Sequence, residues 1–436
     1  YPFESAPWVQ VPDTRAILGQ LSSAVYGQPS SELALTGITG TNGKTTLTYL
    51  LESITKAAKR LPGVIGTISY RWSDREISAS NTTPESSDLH AMLREMRNSG
   101  VSDVFMEVSS HGLSLGRLNG CQFDVGVFTN LTQDHLDYHH DMEDYYQAKK
   151  LLFTELLQAS TKPRRTAIIN SDDPYGARLL SELDGLTRFS FGSSNVADFH
   201  PINVDIRAEG ISGWISTPRG TIEIVSPLTG SFNLSNIMAA VAVSTVLGFS
   251  EESIKAGISN LKVAPGRLQR IESDRGHIFV DYAHTPNALT NVLDALRKSC
   301  SGRIITVVGC GGDRDRAKRP LMGEQAALGS DFVVITSDNP RTEDPIDIIS
   351  QIEPGVKKAG FRSTRFDGES HELESRSFVV IPDRRQAINW IVARIRKDDT
   401  LLVAGKGHET YQEINGVRYP FDDSEELRKA LDSLIA

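Results

Sequence analysis

Cysteine is scarce here: Cys121, Cys300 and Cys310 are the only three in 436 residues, an odd number spread far apart. That spacing excludes a disulfide framework and a zinc knuckle, and it predicts reduced thiols in a cytoplasmic setting. Basic charge is in deficit, with 46 Lys and Arg against 55 Asp and Glu and a net charge of -9. Nucleic-acid binding needs a basic face, so no nucleic acid is expected as a partner, and an anionic substrate needs local basic pockets. No apolar run is long enough to span a bilayer and no signal peptide stands at the start, which predicts no membrane partner. Internal repeats and low-complexity tracts are also missing. The chain starts at Tyr1 rather than at a methionine, so an absent upstream piece is expected. What is present, 39% hydrophobic and 23% charged residues, is ordinary for a globular protein, and the length predicts two or three domains.

The chain is organised around Leu33–Thr46. A short apolar run reads as a buried strand, a glycine-rich turn follows, and Leu47, Leu50, Leu51 and Ile54 fall on one helix face. Strand, loop, Gly43-Lys44-Thr45 and helix are the parts of a nucleotide phosphate cradle. In such a cradle, backbone N–H groups and the helix N-terminus bind the anion, the lysine reaches the β/γ-phosphates and the threonine hydroxyl ligates Mg²⁺. The full G-x-x-x-x-G-K-[ST] pattern is not met, because Ile38 stands at the first glycine position, so Gly40 and Gly43 are expected to shape a tighter loop. The stretch reads as an ATP site.

Residues 1–30, with Pro2, Pro7, Pro12 and Pro29 around the amphipathic Thr14–Tyr26, read as a linker or the remnant of a further domain. From 31 to 264, strand-like runs such as 104–108, 125–129 and 167–170 alternate with helical periodicity. That alternation predicts an α/β fold with a mostly parallel sheet. Around 200–228 the texture changes to short alternating segments, expected as antiparallel strands appended to that sheet, and a helix over 233–248 closes the domain. Pro265-Gly266 is a candidate hinge. From 265 to 436, runs at 304–308, 332–336 and 401–404 each end in a polar loop, predicting a second α/β domain of Rossmann-like type with ligands at the strand ends. Gly309-Cys310-Gly311-Gly312-Asp313-Arg314 lacks the third glycine of a dinucleotide fingerprint, so NAD is not expected.

Several strand exits carry ligand-capable groups. Glu107 ends a hydrophobic run and is placed to hold Mg²⁺. Asn130 to His140 follows another run. His135 and His139 lie four apart, but without a third ligand zinc is not expected, and a histidine assisting a second Mg²⁺ is. Lys149 and Lys150, opening a helix over Leu151-Leu152-Phe153, read from spacing alone as a solvated face. In the second half, Gly311–Asp315, Asp338-Asn339-Pro340-Arg341 and Gly405–Glu409 leave three successive strands. Two arginines and a glutamate there suit a zwitterion, since arginine takes a carboxylate bidentately and glutamate takes an ammonium; a surface salt-bridge cluster is the competing reading.

Together these motifs resemble the Mur ligases. The resemblance rests on residues 39–46, Asn81-Thr82-Thr83-Pro84, Glu107–His111, Thr129-Asn130-Leu131 through Asp134-His135-Leu136-Asp137, Asp281–Pro286 and the three C-terminal loops. It runs from about residue 30 to the C-terminus. It implies that Gly40, Thr41, Asn42, Gly43, Lys44, Thr45 and Thr46 cradle ATP, with Asn236, Arg267, Asp281 and His284 around the nucleotide. Lys44, Glu107, His135 and Lys149 become the catalytic set. Thr45 and Glu107 hold one Mg²⁺, and His135 with Lys149 holds a second. The matching lysine in these ligases is carbamylated, which turns a cation into an anionic ligand and reverses the solvated-face reading of Lys149. Thr82, Thr83, Ser109 and Arg117 match positions that hold a UDP-muramoyl substrate, while Leu115 replaces a glutamine contact of some relatives. Arg314, Asp338, Asn339, Pro340, Arg341, Gly405 and Glu409 match the amino-acid pocket. Asp338-Asn339-Pro340-Arg341 marks members that add meso-diaminopimelate, whose distal carboxylate needs a cation.

The implied activity is ATP-dependent amide formation in peptidoglycan synthesis. The D-glutamate γ-carboxylate of UDP-MurNAc-L-Ala-D-Glu attacks the γ-phosphate, and meso-diaminopimelate captures the acyl phosphate. Closure about Pro265-Gly266 is expected to precede chemistry, in a monomer. The family's N-terminal uridine-binding domain is expected to be largely absent. Two rivals are a folylpolyglutamate-synthetase-type ligase and a non-catalytic scaffold relative; Asp338–Arg341 speaks against the first, and the filled catalytic positions against the second.

Overall fold

A computed structural model describes residues 9–136, 138–366 and 372–434, so Asp137 of the quoted motif lies outside the described residues. The chain forms two compact units. One runs to His200 and takes in Ser216–Gly220 and Met238–Gly257. The other holds Pro201–Ile215, Thr221–Ile237 and the chain from Ile258 onward.

The first unit is built on strands β1 (Ala34–Thr39), β2 (Pro62–Ile65), β3 (Ser69–Trp72), β4 (Arg75–Ser78), β5 (Asp103–Glu107), β6 (Val125–Phe128), β7 (Thr166–Asn170) and β8 (Thr187–Phe191). They form one sheet in the order β4-β3-β2-β5-β1-β6-β7-β8. The strands from β2 to β8 pair in parallel, and β3 and β4 add antiparallel to the β2 edge. Strands β1, β5 and β6 are buried almost throughout, which is why they read as unbroken apolar runs. Helices α1 (Thr14–Val25), α2 (Lys44–Ala57), α3 (Ser86–Asn98), α4 (Ser110–Ser114) and α5 (Met142–Leu151) belong to this unit. Leu47, Leu50, Leu51 and Ile54 of α2 are all fully buried, as their spacing requires.

The second unit carries β12 (Gln269–Ile271), β13 (His277–Asp281), β14 (Ile304–Val308), β15 (Phe332–Ile335), β16 (Arg362–Ser363), β17 (Ser377–Val380) and β18 (Thr400–Ala404), ordered β12-β13-β18-β14-β15-β17-β16. All pairs are parallel except β12 with β13. A hairpin of β19 (Tyr411–Ile414) and β20 (Val417–Pro420) follows.

Three expectations need correction. The segments at 200–228 are not appended to the first sheet. The strands His200–Arg207 (β9), Gly210–Thr217 (β10) and Gly220–Ser226 (β11) make a separate sheet, and Ala208 packs into the core of the second unit. Their alternating exposure fits a small sheet with one wet face, whereas a strand added inside the first sheet would be covered on both faces. Lys149 and Lys150 close α5 rather than open a helix, and a π-helical stretch, Leu152–Leu157, takes over there. The three polar loops leave strands that are not consecutive in the chain, because β17 intervenes, but β18, β14 and β15 are adjacent in the sheet.

Candidate active site

Register sets the first half of the site. β1 pairs in parallel with β5 so that Ile38 stands opposite Glu107, and with β6 so that Thr39 stands opposite Phe128. Three strands therefore end at one level, where an open parallel sheet presents ligands. Gly40 leaves β1 at φ +142° and Gly43 caps α2 at φ +88°, the two backbone settings that replace the missing first glycine. The residues after β6 clamp the loop from outside: Asn130 Oδ1 accepts Asn42 N at 2.9 Å, and Thr129 Oγ1 donates to Asn42 O at 2.7 Å. A Cβ on Gly40 would lie 1.9 Å from Thr129 Oγ1. Gly40→Ala is therefore expected to remove measurable ATP binding in titration calorimetry and to lower stability by about 2–4 kcal/mol in denaturant melts.

Lys44 Nζ donates to Gly40 O and Thr41 O, both at 2.8 Å, so the cation lies folded onto the loop it follows. Glu107 is buried, and its Oε1 accepts Thr45 Oγ1 at 2.9 Å and Thr67 N at 3.0 Å. Thr67 Oγ1 donates to the other carboxylate oxygen at 3.0 Å. Thr67 carries no motif and stands 40 residues from Glu107, so sequence reasoning missed it. Only its place at the exit of β2, the neighbour of β5, could have signalled it. One buried carboxylate with one threonine hydroxyl is a hard oxygen set of the kind Mg²⁺ shares with substrate phosphates.

Lys149, expected from spacing to sit on a solvated face, is buried, with Nζ 3.0 Å from Gly40 O and 4.5 Å from the centre of the Tyr145 ring. Burial, reinforced by the nearby charge of Lys44, holds its amine well below the usual lysine range. Lys150, its neighbour, does face outward and pairs with Glu182 at 2.8 Å. Tyr145 joins the parts: its hydroxyl lies 3.3 Å from Thr41 Oγ1, and its ring packs 6.0 Å from His135 and 4.9 Å from His139. His135 sits in a loop at φ +54°, and burial pushes its imidazole down, leaving it neutral as a metal ligand must be. His139 is buried with Nδ1 3.2 Å from Asp144 Oδ2, and its backbone N donates to His135 O at 2.9 Å.

The predicted UDP-substrate residues cluster beside the same strand end. Thr83 Oγ1 donates to Glu107 O at 3.0 Å and meets Ser109 Oγ at 3.1 Å. Arg117 Nη1 donates to Thr83 O at 2.9 Å, and Thr82 reaches Thr67 at 3.1 Å. Thr46 is buried at the start of α2.

In the second unit Asp281 ends β13 and accepts Leu268 N at 2.6 Å and Ala283 N at 2.8 Å. Burial pushes its carboxyl up to about 6, against the pull of Arg267. Arg267 and His284 flank the Tyr282 ring at 4.8 and 4.5 Å, which gathers three predicted nucleotide residues. Asn236 bonds Asn233 at 3.1 Å.

The amino-acid set spans the loops after β14, β15 and β18. Asn339 Nδ2 donates to Glu409 Oε2 at 2.7 Å, and a Cβ on Gly405 would lie 2.8 Å from Asp338 Oδ2. Pro340 O stands where any side chain on Gly312 would collide, at 1.9 Å. Arg341, at φ +52°, donates Nη1 to Gly312 O at 2.6 Å, and Arg314 is exposed on the facing loop. An unforeseen pair locks these loops: buried Arg319 grips Glu343 at 2.8 and 2.9 Å, and Glu343 also accepts Asp313 N at 2.6 Å. No helix among the described residues is long and apolar enough to cross a membrane.

Comparison with known proteins agrees with this geometry. The family profile described as Mur ligase middle domain matches residues 38–244, and that described as Mur ligase, glutamate ligase domain matches 266–407. The UDP-N-acetylmuramoyl-L-alanyl-D-glutamate--2,6-diaminopimelate ligase of Geobacter metallireducens is 49% identical over 433 residues, covering 99% of this chain and 84% of its own. A solved structure of a ligase of the same name is 35% identical, with a TM-score of 0.70 over 98% of this chain and 84% of the other. Folylpolyglutamate synthase of Mycobacterium tuberculosis, 18% identical, shares the fold at a TM-score of 0.69 over 90% of this chain and 92% of its own. A phosphate loop closed by Glu107, a second sheet with its own polar loops, and family matches along most of its length lead to one conclusion: the chain belongs to the Mur ligase family.

Proposed function

We propose that this chain is the ATP-dependent ligase that joins meso-diaminopimelate to the D-glutamate γ-carboxyl of UDP-MurNAc-L-Ala-D-Glu in peptidoglycan synthesis. The observation that carries the reading is the meeting, at one strand end, of Thr45, Glu107 and the buried amine of Lys149 on the phosphate loop. Loop N–H groups and the N-terminus of α2 bind the triphosphate, and Lys44 swings from Gly40 O and Thr41 O to the γ-phosphate. Thr45 and Glu107 would hold one Mg²⁺; His135 and Lys149, once carbamylated, would hold a second. Bound there, Mg²⁺ neutralises charge that otherwise repels the carboxylate from the triphosphate. Thr82, Thr83, Ser109 and Arg117 orient the UDP-substrate so that its γ-carboxylate attacks in line, releasing ADP and leaving an acyl phosphate. Arg314 and Arg341 take carboxylates of diaminopimelate, and Asp338, Asn339 and Glu409 take an ammonium end. The free amine adds to the acyl carbon, and the tetrahedral adduct expels phosphate. The domain limits expected from sequence, 31–264 for the ATP half and 265–436 for the amino-acid half, are part of this proposal.

The test is phosphate release with ATP, UDP-MurNAc-L-Ala-D-Glu and either meso-diaminopimelate or L-lysine. The expected outcome is release with diaminopimelate and at least about 100-fold less kcat/KM with L-lysine, which has no distal carboxylate for Arg314 or Arg341 to take. Equal rates with both amino acids sink the substrate assignment.

A further inference from the structure

Lys406 lies between two glycines, yet its side chain is 0% exposed. Asn339 Oδ1 at 3.1 Å, Glu409 Oε2 at 3.2 Å and Asp338 Oδ1 at 3.5 Å surround Nζ, and the Tyr411 ring lies 5.7 Å away. A buried ammonium is costly unless its N–H groups find acceptors, and all three of its partners here belong to the amino-acid pocket. The two carboxylates and one ammonium leave one net negative charge. Asp338 Oδ1 is buried and accepts no hydrogen bond among the described residues; its contact with Lys406 is ionic only. The cluster is thus one cation and one N–H donor short of satisfaction.

We propose that Lys406 is a positioning residue of the amine pocket: it fixes Asn339 and Glu409 and sets one positive charge between the two carboxylates, which leaves Asp338 Oδ1 to receive the ammonium of the incoming amino acid. The proposal rests on the amino-acid reading given under Proposed function. Burial and then the charge of Asp338 hold the Glu409 carboxyl above its usual range, and Lys406 with Asn339 pulls it back. Among the described residues, Arg384, Tyr282, Tyr411 and Cys310 also face this cluster. Arg384 is committed to Asp423 at 2.7 and 2.8 Å, so it does not replace Lys406 as a counter-ion. Without Lys406 the carboxyl takes up a proton at higher pH, and below that pH the pocket loses the charge that attracts an ammonium.

Steady-state kinetics of Lys406→Met and Lys406→Arg in the full chain test this. For Lys406→Met the KM for meso-diaminopimelate is expected to rise about 100-fold while the KM for ATP stays within about threefold. The acid limb of kcat/KM for the amino acid moves up by about one pH unit or more, and Lys406→Arg returns the limb to its wild-type place. A folded Lys406→Met with unchanged limb and KM overturns the proposal, as does equal loss toward both substrates. Failure of both variants to fold assigns Lys406 to core ion pairing and overturns it too. A wild-type chain that releases no phosphate with diaminopimelate overturns the parent reading, and this proposal with it, before any variant is made.

Discussion

Lys149→Ala is expected to lower ligase turnover by about 100- to 1,000-fold or more, with a melting temperature unchanged or higher near pH 7. The two halves of that result have one cause. The amine is wholly enclosed beside Gly40 O and the Tyr145 ring, and enclosure disfavours its charged form. The pKa of this lysine is lower in the folded chain than in the unfolded one, so between the two values the unfolded chain binds the extra proton. Folding therefore releases a proton, and stability rises as pH climbs toward the ordinary lysine pKa. Deleting the amine removes that cost, so the fold is not harmed by its loss. The lowered pKa favours the unprotonated amine, the form that attacks carbon dioxide: the N–C bond forms, one proton leaves, and an anionic carbamate stands beside the charge of Lys44. Wild-type turnover is accordingly expected to fall in carbon dioxide-depleted buffer and to return with bicarbonate, read as phosphate release. Full activity in Lys149→Ala would remove the carbamate from the mechanism.

Arg341→Ala is expected to cut kcat/KM for meso-diaminopimelate by about 100-fold, the worth of one bidentate charged pair, and to change the weak activity with L-lysine by less than about threefold. The selectivity ratio then collapses. The backbone of Arg341 is pinned, donating to Glu413 O at 3.0 Å and accepting Asn415 N at 2.6 Å, so the guanidinium projects from a fixed point. Its left-handed φ of +52° adds that alanine is no better tolerated there than arginine, so a fold-wide effect is not the reason for the loss. Arg341→Lys keeps the charge but not the fork and is expected to fall between the two. An unchanged selectivity ratio in Arg341→Ala would assign the distal carboxylate to another residue.

The residues legible in the sequence are those whose chemistry is local in the chain. The phosphate loop announces itself because strand, glycines, lysine and helix are consecutive, and Glu107 because a carboxylate ends an apolar run. What pairing decides was not legible. Thr67 reaches Glu107 only because β2 lies beside β5, and β9–β11 were assigned to the wrong sheet because alternation tells that a strand has a wet face but not which neighbour it joins. Burial of Lys149 was invisible for a similar reason: adjacent lysines at the end of α5 look alike in sequence, and only the sheet beneath decides that one points in and its neighbour out. Lys406 was read through and passed over, since a lysine between glycines is unremarkable until three acceptors are seen to converge on it.

The residues proposed to activate the carboxyl, Lys44, Thr45, Glu107, His135 and Lys149, fall in one compact unit, and those proposed to grip the amine, Arg314 to Glu409, fall in the other, together with the nucleotide candidates Asn236, Arg267, Asp281 and His284. On that proposal a lineage rewrites which nucleophile it accepts by changing three loop tips of the second sheet, while the phosphate loop and the residues facing it in the first unit are inherited intact. Swapped second halves between relatives should carry amine choice with them, as an interchangeable cartridge does.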